Sequence, residues 1–239
     1  MPRNSYFQFK QFRIVQERSA MKVGVDGVLL GAWAKVSKAM RMLDIGSGTG
    51  LIALMLAQKN ALAKIDACEI DCDACEEALF NVQQSNWGDR INLFCQSFQE
   101  FAAETEDKYD LIVSNPPFFS NGVKAPAETR AQARHSEALP LDVLISGAAK
   151  LLQQNGQIAL ILPAEQLQEV ENMAEINGLF LSRLCRVKPN PVKPDFRILV
   201  ELANQQIAFQ EENLMIEFEK HHNYTPEYRE LTKDFYLKF

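Results

Sequence analysis

The sequence predicts an α/β fold: one domain over residues 1–239, built on a mostly parallel, seven-stranded sheet with an antiparallel hairpin at one side. Three observations predict it. Short apolar runs of strand character alternate with helical stretches, the pattern of crossover units that cover both faces of a parallel sheet. The glycine run Gly46-Ser47-Gly48-Thr49-Gly50 lies between one such strand and one such helix. The last two strands are joined only by the proline-rich turn from Lys188 to Pro194, too short for a crossover helix and suited to a hairpin.

Taken in order, Phe7 to Ile14 alternates like a short strand or arm. Met21 to Trp33 mixes apolar residues with three glycines, and Asp26 is placed to cap a helix that starts near Gly27. The strand Arg41 to Ile45 runs into the glycines and then into a helix from Leu51 to Gln58. Further strands are expected at Lys64 to Ile70, Arg90 to Gln96, Tyr109 to Ser114, Gln157 to Leu162, Phe180 to Val187 and Arg197 to Leu202. Helices fill Asp71 to Ser85, Ser97 to Glu104, Pro140 to Leu152 and Ala164 to Asn177. The polar stretch from Asn121 to Leu139 reads as a long loop. A final helix is entered at Thr225-Pro226, with Tyr228, Leu231, Phe235 and Tyr236 on its docking face.

Length and 47% hydrophobic content allow a sizeable core. No signal peptide or apolar span of membrane length is visible, so a cytoplasmic protein without membrane contact is expected. Five cysteines argue for a reducing compartment rather than a disulfide framework. The net charge of -6 does not by itself announce nucleic acid, but its distribution is uneven. From Met1 to Arg41 the local charge is +6, and from Arg183 to Arg197 it is +4. Solvated faces are the plain alternative for both runs.

Two motifs carry chemistry. At the glycine run, missing side chains and a helix N-terminus permit close approach of a ligand. Leu51 stands where a dinucleotide fingerprint would have its third glycine, and Asp44 ahead of Gly46 would repel a pyrophosphate while suiting a cation. Glu69, nineteen residues beyond Gly50, ends the next strand, the place from which an acid holds ribose hydroxyls. A nucleoside that carries positive charge instead of phosphates fits Asp44, Gly46, Gly48, Gly50 and Glu69: S-adenosyl-L-methionine.

The second motif is Asn115-Pro116-Pro117-Phe118, after the strand Tyr109 to Ser114. The prolines forbid continuation as helix or central strand and hold Asn115 extended. Such a shelf suits a planar, conjugated amino group, whose delocalised lone pair makes a poor nucleophile. The Asn115 side-chain oxygen and the Pro116 carbonyl would accept its two N–H bonds and stabilise charge developing on the nitrogen. Phe118 would stack on the ring, and positioning of this kind supplies roughly 7–11 kcal/mol. Asn115, Pro116 and Phe118 are therefore the expected catalytic residues. A proline-stiffened turn with core aromatics is the alternative.

The combination resembles the class I methyltransferases with an N-P-P-[Y/F] motif, and most closely the bacterial tRNA (adenine-N6) methyltransferases acting on the adenine beside the anticodon of a valine tRNA. The resemblance rests on F-K-Q-F, M-K-V-G-V-D-G-V-L-L-G-A-W, L-D-I-G-S-G-T-G-L-I-A-L-M-L-A-Q, S-N-P-P-F-F, N-Y-T-P-E-Y and D-F-Y-L, which span nearly the whole chain. It implies a Rossmann-like fold, S-adenosyl-L-methionine as cofactor and a flipped-out adenine in the shelf. It assigns Lys22, Asp26, Ser97, Phe98 and Asn115 to the cofactor site as well. Lys10, Arg13, Arg18, Lys22, Arg134, Arg186 and Lys188 are then the expected tRNA contacts, in a monomer without metal. The chain departs from its relatives at Phe118, where many carry Tyr, and at Ser97, where an Asp is usual.

Two other readings share parts of the pattern. A side-chain amide is also a planar NH2 group, so a protein-glutamine methyltransferase would use the same shelf, but it gives no reason for basic clusters. A cofactor-dependent RNA-binding protein without turnover would have little use for Asn115. Cys68, Cys72 and Cys75 match the C-x3-C-x2-C spacing of radical enzymes with an iron–sulfur cluster. Their expected placement in a strand and a helix turn, rather than a wrapping loop, speaks against a cluster.

Overall fold

The apolar run ahead of the glycines becomes the central strand of the sheet. The computed structural model describes residues 5–19, 21–117 and 139–238. Its elements are β1 (Tyr6–Gln8), β2 (Arg13–Val15), α1 (Val25–Trp33), β3 (Arg41–Ile45), α2 (Leu51–Lys59), β4 (Lys64–Cys68), α3 (Cys72–Gln83) and β5 (Ile91–Phe94). They continue as α4 (Phe98–Glu104), β6 (Tyr109–Ser114), α5 (Leu141–Leu151), β7 (Leu152–Pro163), α6 (Leu167–Ile176), β8 (Phe180–Lys188), β9 (Arg197–Ala203), β10 (Gln210–Met215) and α7 (Pro226–Thr232). The main sheet has the order β10-β8-β9-β7-β6-β3-β4-β5. The chain leaves β3 toward β4 and β5, then crosses back to β6 on the other side, so the order reverses between β3 and β6.

β3 through β7 are parallel, and β9 lies antiparallel between β7 and β8. The hairpin at one side is thus present, but the sheet has eight strands rather than seven. β10 pairs in parallel with β8 at the edge, and its sequence Q-E-E-N-L-M is too polar to announce a strand. An edge strand buries one ladder only, which relaxes the need for apolar residues.

Strand residues alternate between two cores as the pleat requires. Met42, Leu111, Val113, Ala159 and Ile161 face the layer of α1 and α2, while Leu43, Ile45, Ile112, Ile158 and Leu160 face the layer of α5 and α6. α1 is buried from Gly27 to Trp33, and its glycines permit that. A Cβ on Gly31 would lie 2.7 Å from Met55 Sδ, and one on Gly27 would lie 3.0 Å from Leu51 Cδ2, both on α2. The Lys59 ammonium caps the far end of α1 through the carbonyls of Ala32 and Ala34, each at 2.5 Å. Asp26 does not cap this helix. Gly24 is the N-cap, and Asp26 sits in the first turn bonded to Arg197 Nε at 2.9 Å.

The opening and closing segments meet. β1 and β2 form a small hairpin whose Phe9 stacks on Phe12 at 4.7 Å and on Tyr236 at 5.9 Å, and Lys10 N donates to Phe235 O at 2.8 Å. The tail helix is shorter than the sequence predicts, but Thr225 caps it as expected, accepting from Tyr228 N at 3.2 Å. Cys75 and Cys95 form a disulfide, contrary to the expectation of free thiols, because α3 and the end of β5 run side by side. Among the described residues no helix is long and apolar enough to cross a membrane.

One basic residue of the second cluster is structural. Arg183 is buried, donates to Glu212 Oε1 at 2.7 Å and Glu201 Oε1 at 3.2 Å, and lies 3.8 Å over the Trp33 ring. It ties α1 to the β8–β9–β10 end of the sheet. Removing it leaves Glu201 buried without its closest cation, so Arg183→Met is expected to destabilise the protein by about 3–5 kcal/mol in urea unfolding. Adding Glu201→Gln ought to restore part of that loss. Full stability of the single variant would mean that the pair holds nothing in place.

Candidate active site

Register assembles the site. Ile45 of β3 is paired with Cys68 of β4 on one side and with Ser114 of β6 on the other. The next residue in each strand is Gly46, Glu69 or Asn115, so all three leave the carboxyl edge of the sheet from adjacent positions. Neighbouring strands lie about 4.8 Å apart. Ser114 Oγ fixes the junction by donating to Ile45 O at 2.8 Å. Ligands of open α/β sheets bind where the strand order reverses, and this is that place.

The glycine loop turns sharply here. Gly46, Gly48 and Gly50 have φ of 71°, 56° and 80°, and a Cβ on Gly46 or Gly48 would meet nothing within 4 Å. Both therefore face open space in a backbone conformation that favours glycine. The N–H groups of Gly46 and Ser47 bond to Cys68 O at 2.9 and 3.1 Å, which stitches the loop to β4. Asp44 lies buried beneath it. Its Oδ2 accepts from Ala53 N at 3.0 Å, while Oδ1 is buried and has no hydrogen-bond partner among the described residues. Burial pushes its carboxyl up to about 7, against the Ala53 N–H and with help from the Glu69 charge.

Glu69 is held rigidly. Its Oε2 accepts from Gly48 N at 2.7 Å and its Oε1 from Asp71 N at 2.9 Å. An acid fixed at the end of this strand is placed to hold ribose hydroxyls. An orphaned buried carboxylate oxygen, an open glycine cradle and a fixed second carboxylate fit a nucleoside with an attached cation. That is the donor set S-adenosyl-L-methionine requires.

A strap from the N-terminal hairpin crosses beside the loop, held by two residues that the sequence does not mark as functional. Glu77 of α3 accepts from the backbone N–H groups of Arg18 and Ser19 at 2.6 and 2.7 Å. Asn81 pairs with both backbone groups of Val15 and donates to Thr49 O at 3.0 Å. A glutamate and an asparagine four apart on a polar helix face give no signal in sequence that they are buried. Ser47 is equally unmarked in the sequence, and its Oγ is buried without a partner among the described residues.

The remaining assignments fall out unevenly. Asn115 and Pro117 are half-buried and Pro116 is buried. Phe118 and Arg134 lie outside the described residues. Ser97 is the N-cap of α4 in a reciprocal capping box with Glu100. The Phe98 ring is buried against Gly147, where a Cβ would stand 2.6 Å from its Cε1.

Lys22 donates to the carbonyls of Gln16 and Ser19, so its ammonium closes the strap. Arg18 is ion-paired with Glu76 at 2.7 Å, Arg186 with Glu211 at 2.8 Å and Lys188 with Asp195 at 3.9 Å. Arg13 lies over Tyr6 and donates to Gln8, and Lys10 donates to Lys233 O at 2.5 Å. The iron–sulfur spacing comes to nothing. Cys68 is buried with its thiol pushed up to about 12, Cys75 is in the disulfide and Cys72 is exposed.

Fold and site define an S-adenosylmethionine-dependent methyltransferase, and residues 25–181 match the family model described as methyltransferase small domain. The chain belongs to the tRNA1(Val) (adenine(37)-N6)-methyltransferase family. It is 49% identical to the family's protein from Trichodesmium erythraeum over 98% of each chain. It is 46% identical to that of Christiangramia forsetii over 98% of this chain and 99% of the relative. Among solved structures, a predicted O-methyltransferase of Agrobacterium tumefaciens shares the fold at TM-score 0.64 and 18% identity, over 88% of this chain and 96% of its own.

The state of Asp44 is testable. Its folded value lies above the ordinary 3.8, so the stability contributed by its protonated form is complete below that value and is lost as pH rises through about 7. In chemical denaturation of the cofactor-free protein, Asp44→Asn is expected to be the more stable at about pH 8, by on the order of 2–4 kcal/mol, with little difference near pH 4. An equal decline in both proteins would place that titration elsewhere.

Proposed function

We propose that the chain methylates the exocyclic N6 amino group of adenine 37 in a valine tRNA, as its relatives' names say of them. One observation carries the chemistry: the β3–β6 register that sets the glycine cradle beside Asn115 and Pro116. S-adenosyl-L-methionine, when bound, supplies a methyl group on positively charged sulfur. Asp44, Gly46, Gly48 and Glu69 hold it, and the strap tied by Glu77 and Asn81 positions Asp26 and the start of α1 nearby.

The shelf holds the acceptor. The Asn115 side-chain oxygen and the Pro116 carbonyl accept the two N–H bonds of the adenine amine and draw its nitrogen out of conjugation. Phe118 supports the flipped base by stacking. No strong base is required, because the methylated nitrogen is acidic enough to lose its proton to water. Lys10, Arg13, Arg134, Arg186 and Lys188 contact tRNA phosphates, and Arg18 joins them by exchanging its carboxylate partners for phosphate. In this reading the protein acts as a monomer in the cytoplasm, where a tRNA substrate is found.

Asn115→Ala is expected to lower methyl transfer by at least about a hundredfold while leaving cofactor affinity nearly unchanged. Turnover with labelled cofactor and calorimetry together check this. Retained turnover would remove Asn115 from the chemistry, and lost cofactor affinity would mean that the two halves of the site are not separate. For the RNA surface, Lys10→Gln with Arg13→Gln is expected to reduce the slope of log affinity against log salt by about 2. An unchanged slope would exclude the arm from the interface.

A further inference from the structure

The turn before the C-terminal helix brings together three metal-ligating side chains that the methyl-transfer reading does not use. Glu217 and Tyr224 form a bridge, and the residues between them make a tight turn closed by Phe218 N donating to Asn223 O at 2.8 Å. One donor atom from each of Glu217, His221 and His222 lies within 4.8 Å of the others. Adjacent side chains of extended backbone point to opposite sides. Here His222 has φ 63°, a left-handed conformation uncommon outside glycine, and the two imidazoles lie together with centroids 3.9 Å apart.

Three further contacts prepare the cluster. Glu217 is anchored, its side chain only 16% exposed, with Oε1 accepting from His222 N at 3.1 Å and Oε2 2.9 Å from His221 Nδ1. His222 Nδ1 lies 3.2 Å from the Tyr224 hydroxyl, which leaves Nε2 as its free donor. A hydroxyl or carboxylate on one ring nitrogen is the usual way to orient a histidine ligand.

We propose that Glu217, His221 and His222 form a surface site for one borderline divalent metal ion of the zinc class. Two imidazoles and a carboxylate are the donor set such ions take, with a water completing the tetrahedron. Ligand atoms at about 2.1 Å from a shared ion stand about 3.4 Å apart. The observed cluster needs to contract by little more than an ångström, and His221, 78% exposed, is free to move that far. The ion would clasp the turn that leads into Thr225 and the tail helix, a structural role remote from the glycine cradle and the shelf.

The test uses tag-free, chelator-stripped full-length protein. Titration with Co2+ is expected to give tetrahedral visible absorption at one equivalent, displaced by Zn2+, and Zn2+ is expected to raise the melting temperature by a few degrees. His221→Gln with His222→Asn ought to weaken Zn2+ binding at least tenfold, Asn being tolerated at a left-handed position. Glu217→Gln ought to weaken it as well. Matching melting curves in chelator show that the variants fold. In the unmodified chain, Co2+ is expected to broaden the ring signals of Tyr224. Absence of Co2+ absorption, affinity unchanged in the double variant, or sharp Tyr224 signals at saturating Co2+ would each overturn the proposal.

Discussion

The pairing of Ile45 with Ser114 is the constraint on which the site depends. It joins the two strands at the reversal of sheet order, and Ser114 Oγ locks it through Ile45 O. A slip of one residue would turn Asp44 and the alternating apolar residues of β3 to the wrong faces. With the register fixed, the glycine loop and the Asn-Pro-Pro shelf emerge side by side, and neither needs a long connecting segment to find the other. The two cores on either side of the sheet hold that register, since Val113 and Ile112 are buried in opposite layers.

Around this junction, buried polar groups place the parts that hydrophobic packing alone would leave loose. Glu77 and Asn81 fasten the strap to α3, Glu69 braces Gly48, and Arg183 anchors α1 to the far end of the sheet. Buried polar groups must find partners or carry a penalty, so each of these contacts specifies one arrangement. At the glycine loop Asp44 and Ser47 depart from this, each with one buried oxygen that has no partner among the described residues. An unsatisfied carboxylate oxygen at the mouth of a glycine loop is what a cation-bearing cofactor would satisfy. The shelf alone does not choose between an adenine and a side-chain amide. Membership in the family makes that choice.

Much of this was legible in the sequence because it rests on local patterns. Apolar runs ending in glycine or proline gave β3 and β6 to the residue, and the distance from Gly50 to Glu69 follows from one helix and one strand. What was not legible depends on partners distant along the chain. β10 is polar because it is an edge strand, so no apolar run marks it. Asp26 reads as a cap in isolation and is instead drawn to Arg197, 171 residues away. Lys22 and Arg183 count as surface charge in a sum but are spent on backbone carbonyls and buried carboxylates. That the Phe98 ring packs against Gly147 of α5 likewise depends on a residue distant along the chain.

The most direct measurement incubates the protein with labelled S-adenosylmethionine and unmodified valine tRNA, in parallel with a transcript carrying guanine at position 37. The RNA is then digested to nucleosides. Label in N6-methyladenosine from the first substrate and none from the second is the expected result. Label on another nucleoside, equal label in both transcripts, or label only on added protein would contradict the pairing of shelf and cradle as an adenine N6 methylation site.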